Sequence, residues 1–157
     1  ETCHIEVRQP QADRQSIDLQ FNLHAQSSDV SIDASRESQG LCYRAAEMEY
    51  RKVTNSDSCI GQSEVSGRTA KWCSLNGILS DEAIGVAIFD HPSNLRHPTP
   101  FFALDEAFGV ISASFTYYKP YVIPAGETLT LKYRTVIYLG DVFTFDPWAC
   151  YEEYAKQ

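Results

Sequence analysis

Residues 16–25 read SIDLQFNLHA and alternate apolar with polar side chains. This period of two predicts a half-buried β-strand, because successive side chains of a strand point to opposite faces of its sheet. The pattern recurs in residues 127–140, ETLTLKYRTVIYLG. The apolar faces of these two segments carry Ile17, Leu19, Phe21 and Leu23 in the first and Leu129, Leu131 and Tyr133 in the second.

Shorter strand candidates lie between these two segments. They are separated by "NSDS", "LNG", "HPSN" and "IPAGE", which supply the Gly, Pro, Asn and Asp of turns. Seven or more short strands at such spacing are typical of an antiparallel β-sandwich. The shorter candidates cover residues 30–32, 41–48, 69–73, 84–89 and 108–115.

The C-terminus carries the signals of one short helix. Asp146 is a suitable N-cap and Pro147 suits the first helical position, ahead of WACYEEYAKQ. We expect Trp148 and Tyr151 to pack this helix on the sandwich. The predicted fold class is therefore all-β, an antiparallel β-sandwich with one short C-terminal helix.

Length and charge narrow the possible functions. The 157 residues suit one β-sandwich domain, 1–157. With 21 acidic and 13 basic side chains the formal net charge is -8, which speaks against nucleic acid or an anionic membrane as the main partner. No apolar run approaches the roughly 20 residues of a membrane span.

The cysteine content favours an oxidising compartment. Five cysteines are many for a cytosolic domain of this size, and no two of them form a C-x-x-C pair. We therefore expect a secreted protein with disulfides, and the odd count leaves at least one thiol free or paired with another chain. The five are Cys3, Cys42, Cys59, Cys73 and Cys150.

The segment AIFDHPSNLRHPTPF, residues 87–101, is the main candidate for a site. A buried strand should end in a loop that three prolines stiffen, and such loops often carry binding residues. We assign catalytic roles to Asp90, His91 and His97 and ligand binding to Asn94 and Arg96. In the alternative interpretation, Asp and Asn only bond backbone amides of a turn. Replacing His91 and Asn94 would change stability little if the segment is a surface site.

Three further residues could contribute to a sugar site. Arg44 and Arg68 could bind hydroxyl or carboxylate groups, and Trp72 could stack on a sugar ring. The alternative for Trp72 is a place in the core.

We expect neither a metal nor another cofactor. His91 and His97 are six residues apart in an irregular segment, and no third ligand is marked by spacing. A G-x-S-x-G elbow is missing, and adjacent carboxylates such as Asp81 and Glu82 are more typical of a solvated surface than of a glycosidase pair.

Five blocks of the sequence together resemble the PmoA-like domain. In chain order they are GLCYRAAE, VSGRTAKWCSLNG, IGVAIFDHPSNLRHPTPF, AFGVISASF and IPAGETLTLKYRTVIYLG. The resemblance spans about residues 17–140, and its most specific part is D-H-P-x-N followed by H-P-T-P. It implies a β-sandwich related to those of carbohydrate-active proteins.

The resemblance also implies a missing half. Domains of that family are about twice as long, and a His-His-Arg-Gly-rich block of their first half does not occur here. The chain therefore resembles a C-terminal half. We expect a second protein chain to complete it, and a disulfide of Cys3 or Cys150 could link the two chains. The alternative is that the first half has been lost and a smaller, self-sufficient sandwich remains.

Two classes of function remain open after the sequence analysis. The first is a secreted, carbohydrate-directed enzyme or enzyme subunit with its site in the loop of residues 90–97. The second is a secreted, non-catalytic binding protein, lectin-like or toxin-like.

Overall fold

The computed structural model describes residues 1–37 and 40–157. The described residues form eleven β-strands and two helices. The strands are β1 Thr2–Val7, β2 Arg14–His24, β3 Val30–Ile32, β4 Gly40–Arg44, β5 Glu49–Asn55, β6 Trp72–Leu79, β7 Glu82–Asp90, β8 Phe101–Leu104, β9 Val110–Ser114, β10 Tyr121–Ile123 and β11 Thr128–Leu139. The helices are α1 Gln62–Val65 and α2 Pro147–Tyr154.

A six-stranded antiparallel sheet in the order β1-β2-β11-β7-β6-β5 forms one layer. A three-stranded sheet, β4-β9-β8, and the pair β10-β3 form the other. The two long alternating segments of the sequence are neighbours in the large sheet, where Leu19 faces Tyr133 and Phe21 faces Leu131. The predicted antiparallel β-sandwich is confirmed.

The large sheet has two differently covered faces. Its inner face packs on the small sheet around a core that includes Leu75, Ile88 and Leu131 of the large sheet and Phe101 and Ile111 of the small one. The alternate residues of the same strands form the outer face, on which α2 lies with its own apolar cluster. The candidate ligand cavities lie on this outer face.

Helix α2 begins at the predicted residue. Asp146 is its N-cap and accepts a hydrogen bond from the amide of Ala149, and Pro147 occupies the first turn. Tyr151 and Tyr154 are buried against the outer face, whereas Trp148 is exposed. The predicted packing of Tyr151 is therefore confirmed.

Several strands escaped the sequence analysis. The candidate over residues 41–48 ends early in the structure, because β4 stops at Arg44 and a separate strand, β5, begins at Glu49. Strand β1 was missed because its six residues are all exposed. An edge strand with no buried face has no reason to alternate cleanly.

The five cysteines, all within the described residues, are unpaired. The expected disulfides inside the chain are therefore not found. Cys73 is a fully buried apolar side chain, and burial raises the pKa of its thiol. Cys3 is exposed, whereas Cys150 is buried and accepts a hydrogen bond from Arg14.

Neither described helix is long and apolar enough to cross a membrane.

Candidate functional site

The loop after β7 begins at Asp90, whose side chain is fully buried. One carboxylate oxygen accepts from Asn94 Nδ2 at 2.7 Å, and the other accepts from His97 Nδ1 at 2.8 Å and from the amide of Thr99 at 3.0 Å. A buried carboxylate needs such partners, because an isolated charge is costly to remove from water. Asp90 therefore accepts hydrogen bonds from three donors, and these bonds hold the loop together.

Asn94 attaches this loop to the large sheet. Its Nδ2 also donates to the carbonyl of Lys132 at 2.6 Å, and its Oδ1 accepts from the amide of Lys132 at 2.7 Å. The side-chain amide thus pairs with β11 as a backbone peptide would. Asn94 therefore has a structural role, but its partners are on a distant strand and are not the local turn amides of the alternative interpretation.

Arg96 points away from the other loop residues. Its backbone is left-handed, with φ of 65°, which is uncommon outside glycine. Its guanidinium donates to the carbonyls of Phe115 at 3.0 Å, Lys119 at 2.6 Å and Pro120 at 2.9 Å. These bonds tie the loop to the segment before β10.

His97 links Asp90 to the C-terminal helix. Its Nε2 lies 3.3 Å from the hydroxyl oxygen of Tyr151, and the two rings are nearly parallel at 6.5 Å. Burial, with a further contribution from the charge of Asp90, raises the pKa of Tyr151. Nδ1 donates to Asp90, so in the neutral ring Nε2 accepts a hydrogen bond from the Tyr151 hydroxyl. Asp90, His97 and Tyr151 thus connect the β7 loop to α2.

His91 differs from these neighbours. Its Nδ1 lies 3.1 Å from the amide nitrogen of Ser93 and 2.7 Å from Ser93 Oγ. A backbone N–H can only donate, so Nδ1 is the acceptor and the neutral ring carries its hydrogen on Nε2. Burial lowers the pKa of His91, and the nearby charge of Lys132 lowers it further against the opposing effect of Asp90. The ring is therefore a neutral donor.

His91 lines a cleft of about 250 Å³ on the outer face, between the large sheet and α2. Tyr154 lies on the helix side, with its ring edge-on to His91 at 5.1 Å. His91 and Tyr154 are 8% and 4% exposed, and neither His91 Nε2 nor the Tyr154 hydroxyl has a hydrogen-bond partner among residues 1–37 and 40–157. We call this the His91 cleft; its other lining residues are His4, Ile5, Glu6, Asp18, Leu19, Gln20, Lys132, Tyr133 and Gln157.

The charges of the His91 cleft are unevenly paired. Asp18 binds Arg134, which donates to it at 2.9 Å, and Arg8 at 2.6 Å. Lys132 has no carboxylate within salt-bridge distance in the described part of the chain. The unpaired charge in the cleft is therefore positive. Burial, with a further contribution from the charge of Asp18, raises the pKa of Tyr154, so the phenol remains a donor.

The other predicted ligand-binding residues lie elsewhere. Arg44 is on the small sheet, with its guanidinium carbon 5.0 Å from the centre of the Phe108 ring. Arg68 is exposed in the segment after α1, and Trp72 is buried on the outer face against Trp148. The structure does not bring these three residues to the His91 cleft.

The sequence analysis missed Lys132 and Tyr154, which complete the cleft. Lys132 was assigned only to the polar face of a strand, and Tyr154 only to the helix. Lys132 comes beside His91 through the pairing of β11 with β7, in which Tyr133 faces Asp90. Tyr154 comes there through the way α2 crosses the sheet. No local sequence pattern shows either arrangement. Among the described residues, no group of three or more His, Cys, Asp or Glu side chains is placed to hold a metal ion.

Comparison with known families gives one match. A model of a family of unknown function, DUF6807, matches residues 1–145. The chain belongs to this family. The match includes the whole β7 loop and ends before α2. No curated protein and no solved structure matches the chain.

Proposed function

We propose that this protein is a carbohydrate-directed binding protein that holds an acidic sugar in the His91 cleft. The observation that carries the proposal is the pair of buried donors, His91 Nε2 and the Tyr154 hydroxyl, beside the ammonium group of Lys132. A ligand carboxylate could accept from all three, and ring hydroxyls could meet the amide and carboxylate groups of Gln20 and Glu6.

We favour binding over catalysis for a physical reason. Nδ1 of His91 already accepts from Ser93, and the lowered pKa keeps the ring neutral. A general base needs a free lone pair, and a general acid needs a pKa close to the working pH. The three donors of Asp90 likewise oppose a role for that carboxylate as a base.

The test is a titration of ¹⁵N-labelled protein with methyl β-D-glucuronide and, as the neutral match, methyl β-D-glucoside. We expect saturable shifts at residues of the His91 cleft with the glucuronide, and weaker binding of the glucoside because it lacks the carboxylate. Lys132→Gln should weaken glucuronide binding about tenfold, the size of one charge-assisted hydrogen bond.

Lys52→Gln is the matched control, because Lys52 is exposed on β5 at the far edge of the same sheet. This variant should bind like the unaltered protein. Equal binding of the two glycosides, or equal loss in both lysine variants, would contradict the proposed site.

We also propose that the protein is secreted and pairs with a second chain through β1. Support comes from the place of β1 at the end of the large sheet and from the side chains of Ile5 and Val7, which are 63% and 65% exposed. An unpaired strand edge with apolar residues invites another strand. Exposed Cys3 on the same strand suits a disulfide to that partner better than buried Cys150.

Size-exclusion chromatography and non-reducing electrophoresis of the natural extracellular material test this pairing. We expect a species larger than one chain that reduction converts to the single chain if the link is through Cys3. A monomer in both measurements would refute the partner.

A further inference from the structure

A second cavity lies on the other side of α2, where β5 ends and β6 begins. It encloses about 410 Å³, within the usual range for small-molecule sites. Its walls carry apolar side chains that remain open to solvent: Phe143 is 87% exposed, Ile60 51% and Trp148 39%. We call it the Trp72 cavity.

Three residues that line the Trp72 cavity carry a buried polar atom without a partner. Thr54 Oγ1, Asn55 Nδ2 and Trp72 Nε1 are each buried and make no hydrogen bond within the described ranges, 1–37 and 40–157. Asn55 is 2% exposed and Trp72 is 5% exposed. We refer to these three as the floor atoms. Buried polar atoms usually find partners, so three such atoms on residues of one cavity lining point to a ligand.

The orientation of the Asn55 amide is fixed by its surroundings. Its Oδ1 accepts from the backbone amides of Asp57 and Cys59, each at 3.0 Å. Exchanging the oxygen and nitrogen would set two donors against Nδ2, so Nδ2 is the group left for a ligand. Asn55 Nδ2 and Trp72 Nε1 can only donate, which selects a ligand oxygen that accepts.

The charged groups in the lining of the Trp72 cavity favour a neutral ligand. Asp146 is the one charged residue among those that line it, all of which lie in the described ranges. Its carboxylate would repel an anion, and no lysine or arginine of the lining would bind one. The exposed rings of Phe143 and Trp148 suit a flat apolar surface on the ligand.

We propose that the Trp72 cavity binds a neutral ligand in which an acetamido group is attached to a ring through its nitrogen. The carbonyl oxygen accepts hydrogen bonds from the floor atoms, and the ring stacks on Phe143 or Trp148. Two sources share this chemistry, an acetamido sugar and an aromatic amide. The site is separate from the His91 cleft and does not depend on the acidic sugar proposed there.

The experiment uses the two indole N–H resonances of ¹⁵N-labelled protein, since the chain has two tryptophans and both line this cavity. The probes are methyl N-acetyl-β-D-glucosaminide and acetanilide. Their matched controls without the carbonyl are methyl β-D-glucoside and aniline. We expect the Trp72 indole resonance to shift saturably with at least one carbonyl probe and not with its control. The probe that binds identifies the source.

Four variants locate the binding. Phe143→Ala and Thr54→Val should each weaken binding of the active probe up to about tenfold, as loss of one stacking or hydrogen-bonding contact does. Trp72→Phe keeps an aromatic ring but removes Nε1–H, and binding is then followed at Trp148. Phe108→Ala is the matched control, because Phe108 is a 49% exposed ring on another part of the surface.

Three results would overturn the proposal. They are no saturable shift with either carbonyl probe, equal binding of the probes and their carbonyl-free controls, or equal effects of Phe143→Ala and Phe108→Ala. His91→Ala separates the two sites, since it should leave the carbonyl probe's affinity unchanged while weakening glucuronide binding.

Discussion

Asp90 and His91 are consecutive residues with opposite surroundings. The Asp90 carboxylate is fully buried and accepts from three donors, whereas the next side chain places a donor, Nε2, in the wall of a cleft with no partner among the described residues. Both are polar, both are buried and both stand at the end of one strand. The residue type therefore does not decide which polar group is structural. A buried polar group whose hydrogen bonds are all made within the protein is structural, whereas one that lacks a partner is available to a ligand.

The same contrast exists inside the His91 cleft. Asp18 lies in the wall of the cleft, but its carboxylate already binds Arg134 and Arg8. Lys132 lies in the same wall with no acidic partner in the described part of the chain. We therefore class Asp18 with Asp90 as structural and Lys132 with His91 as available.

The largest expected effect is that of Asn94→Ala. It removes the partner of the Lys132 amide and of one Asp90 oxygen, and it leaves the Lys132 carbonyl with the amide of His91 at 3.3 Å. Each buried group that loses its partner costs free energy. We expect the free energy of unfolding to fall by about 2–4 kcal/mol, measured by denaturant titration. The sequence alone predicted little change, as for a surface loop.

His91→Ala is the comparison for this variant. We expect it to lower the free energy of unfolding by only about 1 kcal/mol, since the lost polar contact is local to Ser93. Equal losses in the two variants would show that the division between saturated and available groups is wrong.

A smaller effect is expected from Asp18 as pH falls. Burial acts to raise the pKa of Asp18, but the hydrogen bonds and charges of Arg134 and Arg8 outweigh it and hold the pKa below its usual range. The native state therefore binds this proton less readily than the unfolded state. The stability that the ion pairs contribute is complete above the ordinary pKa of about 4 and is lost as pH falls through the lower, native value.

Asp18→Asn isolates this contribution. At neutral pH we expect the variant to be about 1–2 kcal/mol less stable, and the difference from the unaltered protein should shrink as pH drops below about 4. Unfolding curves at a series of pH values measure it. A difference that stays constant through this range would mean that the carboxylate is not paired.

Regular alternation made the fold predictable, whereas the candidate site depends on tertiary placement. Residues 16–25 and 127–140 alternate apolar with polar side chains, and their apolar residues pack toward the core, including Phe21, Leu23, Leu129 and Leu131. Asp146–Pro147 is a local start signal that needs no tertiary information. The sequence also placed polar residues together after β7. The sequence does not show which of these polar side chains have all their hydrogen bonds made within the protein. Asn94, for example, finds its partners on β11, 38 residues away in the chain.

The same limit explains Trp72. Its ring is 5% exposed and packs on the outer face, which agrees with a place in the core, while the residue also belongs to the lining of the Trp72 cavity. Stacking of Trp72 on a sugar ring stays a prediction. A residue can fill the core with one part and face a ligand with another. Only the contacts of individual atoms separate these roles.

Helix α2 forms one wall of both cavities. Trp148 near its start borders the Trp72 cavity and Tyr154 at its end borders the His91 cleft, while the strands and the β7 loop form the opposite walls. The helix is only eight residues long and lies beyond the part of the chain that matches the family. Exchanging this one short segment would therefore change a wall of both cavities at once, while their strand and loop walls stay as they are.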